Sequence, residues 1–220
     1  MRNFVVRELG LVPYGEAWQL QKELERLRKA GEIPDHLLLL EHPHVLTIGR
    51  NGRQEHLLVS RERLAQLGIE YFEIDRGGDI TYHGPGQIVG YPIIDLRDWK
   101  RDVVAYVRGI EETVIRALRR FGIDSWREPG ATGVWTSAGK ICAIGVHISR
   151  WVTTHGFALN WTTDLKYYQY IVPCGLPRPV ASMELLGVRP EREQVHRALI
   201  EEFAQVFQYD PAPALAGVRN

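Results

Sequence analysis

The sequence predicts a mixed α/β sandwich, on three observations. Strand-like runs come in hairpin-like groups with helical periodicities spaced between them, which favours a mixed sheet flanked by helices over a doubly wound parallel one. No GxGxxG motif follows a strand, and no GxxxxGK precedes a Ser or Thr, so neither common phosphate loop is present. The 220 residues are enough for one large domain, and no long linker or repeat divides them, so one domain over 1–220 is expected.

Residues 4–12 (FVVRELGLV) read as a first strand. Residues 14–32 carry apolar side chains at helical spacing and end at Gly31, the signature of a helix and its C-cap. Residues 35–50 read as two short buried strands interrupted at Pro43, and NGRQEHLL after them as a loop. Ser60 caps a short helix over 60–68, closed by Gly68, and 69–74 (IEYFEI) is a strand. From Arg76 to Leu96 the chain is glycine-rich and then strand-like. The longest helix spans 102–123, with Val103, Val107, Ile110, Val114, Ala117, Leu118 and Phe121 on one face. Residues 132–161 are rich in β-branched and aromatic residues, with turn signals near 137–139 and 149–150, and so form two or three antiparallel strands. Residues 192–207 are a last helix, and 209–220 are expected to be a flexible tail.

Hydrophobic residues make up 45% of the chain and charged residues 25%, an ordinary globular balance. The formal net charge is zero, which argues against a protein held on nucleic acid or an anionic membrane by bulk charge but leaves a local basic patch open. Of the 27 basic residues, 22 are Arg and 5 are Lys, so a lysine within an apolar stretch stands out. Two cysteines make no disulfide framework, the N-terminus lacks a signal-peptide pattern, and the longest apolar run, 37–40, is too short for a bilayer. A reduced, cytoplasmic, soluble protein is expected.

Three stretches can carry chemistry. In RGGDITYHGPGQIVGYPI (76–93), Gly77, Gly78, Gly84, Gly86 and Gly90 interleave with Arg76, Tyr82, His83 and Gln87. Such glycines permit close approach to a ligand, or else mark a bulged hairpin. In SAGKICAIGVHI (137–148), Lys140 sits among apolar residues, where it either faces inward beside an anion or snorkels from an edge strand. In IVPCGLPRP (171–179), Cys174 lies on a proline-bounded loop suited to an accessible thiol, whereas Cys142 lies within a strand and reads as a buried, inert one. His83, His147 and His155 are each candidate bases for a Cys–His pair, and spacing does not choose among them. His42 and His44 flank one proline without completing a metal set.

Taken together, RGGDITYHGPGQ, GKICAIGVHISRWVTTHGFALN and IVPCGL resemble the signatures of the lipoyl(octanoyl) transferase family, in the family's order. The one departure is Cys142, where the family pattern has Ala. The resemblance implies a mixed β-sheet flanked by helices, similar to the catalytic domain of biotin and lipoate protein ligases. It implies Cys174 as the acyl-carrying nucleophile and Lys140 as the group that lowers its pKa or relays a proton. It places substrate contacts on Arg76, Gly77, Gly78, Asp79, Ile80, Thr81, Tyr82 and His83, on Ala143, Ile144 and Gly145, and on Gly156, Phe157 and Ala158. It implies octanoyl-acyl carrier protein as donor, and as acceptors the apo lipoyl domains of 2-oxoacid dehydrogenase subunits and the glycine cleavage H protein. No ATP, other cofactor, metal, nucleic acid or membrane is implied. Arg50, Arg76, Arg150 and Arg178 flank the three motifs and are the expected docking cations for an acidic carrier protein. Three other readings remain: an ATP-dependent lipoate–protein ligase, a non-catalytic binder of lipoyl domains or carrier protein, and a Cys–His hydrolase.

Overall fold

The computed structural model describes residues 2–173 and 178–210. In chain order the elements are β1 (Phe4–Leu11), α1 (Tyr14–Ala30), β2 (Asp35–Glu41), β3 (Val45–Ile48), α2 (Arg61–Gln66), β4 (Glu70–Glu73), β5 (Ile80–His83), β6 (Gln87–Ile93), α3 (Val103–Arg119), β7 (Trp126–Glu128), β8 (Ala131–Thr136), β9 (Gly139–Ser149), β10 (Val152–Asn160) and α4 (Arg192–Val206), with short 3₁₀ turns at Gln54–His56, Leu96–Asp98 and Leu165–Tyr170. The strands form two sheets: seven in the order β1-β2-β6-β10-β9-β8-β7, and three in the order β4-β3-β5. Both are mixed. β1 pairs parallel with β2 and β3 parallel with β4, while the other named pairs are antiparallel.

The run Leu37–Leu40 shows why the large sheet needs helices on both faces. Successive side chains of a strand point to opposite faces. Leu38 and Leu40 meet Ala17 and Leu24 of α1, while Leu37 and Leu39 join Ile110, Val114, Leu199 and Phe203 of α3 and α4. All four leucines are buried, as befits a strand covered on both sides. His42–His44, with Pro43 at the break, separate β2 from β3, and β3 leaves for the small sheet. There Leu46, Ile48, Ile80 and Tyr82 form a core of their own with Leu64, Ile69, Tyr168 and Ile171.

Three details differ from the sequence reading. Val103 is 46% exposed, because it begins α3 just after the Asp102 cap, and Tyr106 instead supplies the first fully buried aromatic of that face. β7 was not anticipated: three residues carry no alternation, and it exists by pairing Trp126 with Trp135. Tyr209 and Asp210 are held rather than loose. The Tyr209 ring packs on Phe4 and Phe203, its hydroxyl donates to Asp35, and the Asp210 amide donates to the Arg2 carbonyl. Residues 211–220 lie outside the described residues.

Candidate active site

A slot lies between the two sheets. On the large sheet, Ala143 pairs with Ala158 and Gly145 with Gly156, so four small residues line the β9–β10 side. Gly156 has no room for a side chain: a Cβ there would stand 2.2 Å from the Gly90 carbonyl oxygen. Facing them are Thr81 and His83 of β5 and the strap Arg76–Asp79 that precedes it, with Tyr14 of α1, Tyr91 and His155 completing the wall. Gly77 fastens the strap to β9 by donating its amide to the Val146 carbonyl at 2.8 Å.

Strand alternation divides the expected contact residues. Thr81 and His83 border the slot, whereas Ile80 and Tyr82 turn into the core of the small sheet. Tyr82 stacks on Tyr167 and hydrogen-bonds His44, so its side chain belongs to that core and not to the slot. Ile144 and Phe157 border the slot too, although the Phe157 ring lies over Gly90. Tyr14 and Tyr91 border it without having been anticipated as contacts: Tyr14 lies outside the three stretches, and Tyr91, though within 76–93, was not among the contacts implied there.

Polar groups in this region are held neutral or paired. Arg76 is buried and donates to the Thr47 carbonyl at 2.8 Å, the Thr47 hydroxyl at 2.9 Å and the Gly77 carbonyl at 3.1 Å. Its guanidinium therefore ties the strap to β3, which removes it from the exposed docking cations expected above. Burial pushes His42 down to about 4, and its ring is fixed between the Val12 carbonyl, which accepts from Nδ1, and the Tyr91 hydroxyl, which donates to Nε2. Burial likewise holds His83 well below the ordinary histidine range, with Nδ1 donating to Gln87. His155 donates from Nε2 to Asp75 at 2.9 Å. That bond keeps the Asp75 carboxyl ionised, well below the usual range, while burial outweighs the carboxylate and keeps His155 neutral at pH 7. His147 stands 3.8 Å from the same carboxylate. Of the three histidines considered as bases, His83 and His155 thus have their bonds committed inside the fold.

Beyond the strap, a second, more open cleft shares Gly78, Asp79 and Ile144 with the slot. Lys140 lines it, 8% exposed, with Nζ 5.0 Å from the centre of the Trp135 ring. Asp79 and His56 lie on the same cleft and are hydrogen-bonded to each other. Cys174 lies outside the described residues, but the chain on both sides of it is fastened here. Val172 donates its amide to the His56 carbonyl at 2.8 Å. Lys140 donates its amide to the Pro179 carbonyl at 3.0 Å and accepts from Ala181 at 2.9 Å. Cys142 is fully buried, and burial pushes its thiol far above the ordinary range, so it is no nucleophile. Among the described residues no group of three or more His, Cys, Asp or Glu is placed to hold a metal ion.

The match to known proteins agrees with this geometry. Residues 13–204 match the lipoyl protein ligase A/B catalytic domain. An octanoyltransferase of Solibacter usitatus is 56% identical over 213 residues, covering 97% of each chain. In three dimensions, a bi-partite lipoate protein ligase from Thermoplasma acidophilum superposes with a TM-score of 0.77 at 19% identity, over 97% of this chain and 87% of that one. A biotin protein ligase from Aquifex aeolicus superposes with a TM-score of 0.53 at 10% identity, over 94% and 70%.

Proposed function

The chain belongs to the lipoyl protein ligase A/B catalytic-domain family, and from that premise we propose that it is an octanoyltransferase of protein lipoylation working through Cys174. The donor is octanoyl-acyl carrier protein. The Cys174 thiolate attacks the thioester carbonyl, a bond forms to the cysteine sulfur, and the carrier thiol leaves. The neutral ε-amine of a lysine on an apo lipoyl domain then attacks the acyl-enzyme, a C–N bond replaces the C–S bond, the proton lost from nitrogen is relayed by Lys140 to solvent, and the thiolate is restored. A thioester is already activated, so the reaction needs no ATP. Apo lipoyl domains of 2-oxoacid dehydrogenase subunits and the glycine cleavage H protein are the acceptors. The working unit is one domain over 1–220, acting in the reducing cytoplasm.

The observation that carries this reading is the fastening of both flanks of Cys174 to the cleft that Lys140 lines. A cation beside a cysteine favours the thiolate, which gives Lys140 its role. The slot beyond suits an acyl chain: Thr81, His83, Ala143, Ile144, Gly145, Gly156, Phe157 and Ala158 border it, and each buried CH₂ stabilises binding by about 0.8 kcal/mol. Ile80 and Tyr82 act from behind, by holding the small sheet under that wall.

Intact-protein mass spectrometry after mixing with octanoyl carrier protein tests the reading. The protein gains one octanoyl group, Cys142→Ala gains it equally, and Cys174→Ser neither forms the thioester nor transfers. An adduct that survives in Cys174→Ala, or transfer that requires ATP and free octanoate, replaces this reading with the ligase one.

A further inference from the structure

We infer that the Tyr14 hydroxyl reads the tail of the acyl chain, favouring a chain that ends in a hydrogen-bond acceptor, such as an ω-hydroxyl, over an equally long chain that ends in a methyl. This rests on the slot holding the acyl group, as proposed above, and goes beyond it by naming the residue that sets tail specificity and the chemistry it selects.

Tyr14 lines the slot, is 1% exposed, and its hydroxyl has no hydrogen-bond partner among the described residues. Of the described side chains that line the slot, it is the one with a buried polar atom in that condition. The polar side chains around it are committed. Tyr91 donates to His42, Nδ1 of His83 donates to Gln87, His155 donates to Asp75, and Arg76 donates to Thr47 and Gly77. The Tyr14 ring has no freedom to turn toward another partner. It belongs to the first residue of α1, packs on His42 and Phe72 with ring centres 5.1 Å away in each case, and stacks on His83 at 6.1 Å. Burial holds the hydroxyl above the ordinary tyrosine range, so it stays a neutral O–H with a proton to donate. The charges felt there are those of Arg76, which also lines the slot, and Asp75, so the O–H end of the ring is turned toward the strap.

The place of Tyr14 along the slot decides what meets it. The end nearest Lys140 is bounded by Gly78, Asp79 and Ile144, which the open cleft shares, whereas Tyr14, His83 and Tyr91 do not border that cleft. In the large sheet, β10 stands between β9, which carries Lys140 and Ile144, and β6, which carries Tyr91. Neighbouring strands lie about 4.8 Å apart, so the slot runs roughly 10 Å from the cleft to the end that Tyr14 and Tyr91 close. An acyl chain with its carbonyl at the cleft therefore brings its tail to Tyr14. A methyl pressed against a buried hydroxyl strips it of water and gives nothing back, while an acceptor atom on the tail takes the proton it offers.

Titration calorimetry with free acids tests this without requiring any step at Cys174. Nonanoate and 8-hydroxyoctanoate have equal numbers of heavy atoms and differ in a methyl against a hydroxyl at the tail. The ratio of their affinities is measured for the full chain and for Tyr14→Phe. The ratio favouring the hydroxy acid should fall at least about fivefold in Tyr14→Phe, the worth of one hydrogen bond, with nonanoate bound at least as well as by the wild type. General damage to the fold would weaken both acids alike and leave the ratio unchanged. Thermal unfolding of Tyr14→Phe without ligand should come no earlier than that of the wild type, because the O–H has no partner to lose. An unchanged ratio, or a clearly lowered unfolding temperature, which would mark a structural role for the hydroxyl, overturns the assignment of Tyr14. Binding of neither acid overturns the acyl slot and this inference together. The expected shift in ratio, in a protein that takes no octanoyl from a carrier-protein thioester, supports Tyr14 and overturns only the transfer reaction.

Discussion

At the scale of single residues, His42 illustrates how burial dictates charge. Its imidazole titrates near the ordinary value of 6.5 when the chain is unfolded and at about 4 in the fold. Between those values the unfolded chain binds a proton that the folded chain refuses. Stability therefore falls as pH drops from about 6.5 to about 4 and takes no further loss from this group below that. The gap corresponds to roughly 3 kcal/mol. His83 is shifted in the same direction and steepens the loss. Urea unfolding at pH 7 and pH 4.5 should show the decline. His42→Gln should be less stable at pH 7 but flatter with pH, and an unchanged slope would place the titration elsewhere. The identity of these groups as buried was not legible: a histidine beside Pro43 reads equally as a loop residue.

At the scale of elements, β5 and the β9–β10 hairpin decide what the slot can hold. Alternation puts Thr81 and His83 on one face and Ile80 and Tyr82 on the other, and the motif RGGDITYH cannot say which set faces a ligand. The opposite wall is built from the Ala143–Ala158 and Gly145–Gly156 pairs. Gly145 is a poor place to probe chain length. A Cβ there would meet the Gly77 carbonyl at 2.9 Å and Arg76 Cδ at 3.0 Å, so the strap would move. Ala143 borders the slot directly. Ala143→Leu should shorten the preferred acyl chain by two or more carbons, read from kcat/KM across a series of acyl thioesters of increasing length. A uniform drop for all lengths would mean that the substitution perturbs the strand rather than the slot.

At the scale of the whole molecule, a zero net charge leaves docking to local arrangement. With Arg76 buried, the exposed candidates flanking the motifs are Arg50, Arg150 and Arg178. Arg178 already pairs with Glu128 at 3.1 Å, an exposed pair of small worth, so its charge is partly spent. Arg150 sits at the β9–β10 turn with φ of 51°. Arg150→Glu should raise KM for an acidic carrier-protein thioester and flatten its salt dependence, since rim charges act on encounter and are screened. A small octanoyl thioester without the protein should react at the same rate in both forms. Equal effects on the two substrates would remove Arg150 from docking.

The family and the order of most elements were legible in the sequence because they are written in local signals. Helical spacing closed by Gly31, a serine cap at residue 60, and three contiguous motifs need no knowledge of distant contacts. The division into two sheets, the facing of Thr81 and His83 rather than Ile80 and Tyr82, and the burial of Arg76 were not. Those follow from which strand pairs with which, and a shift of one residue in register exchanges the two faces of a strand. His56 meets Asp79 across 23 residues, and the turn that carries it meets Val172 across more than a hundred. Only the folded chain brings them together, because burying both faces of β2 and closing β3 on β5 set these segments around one cleft.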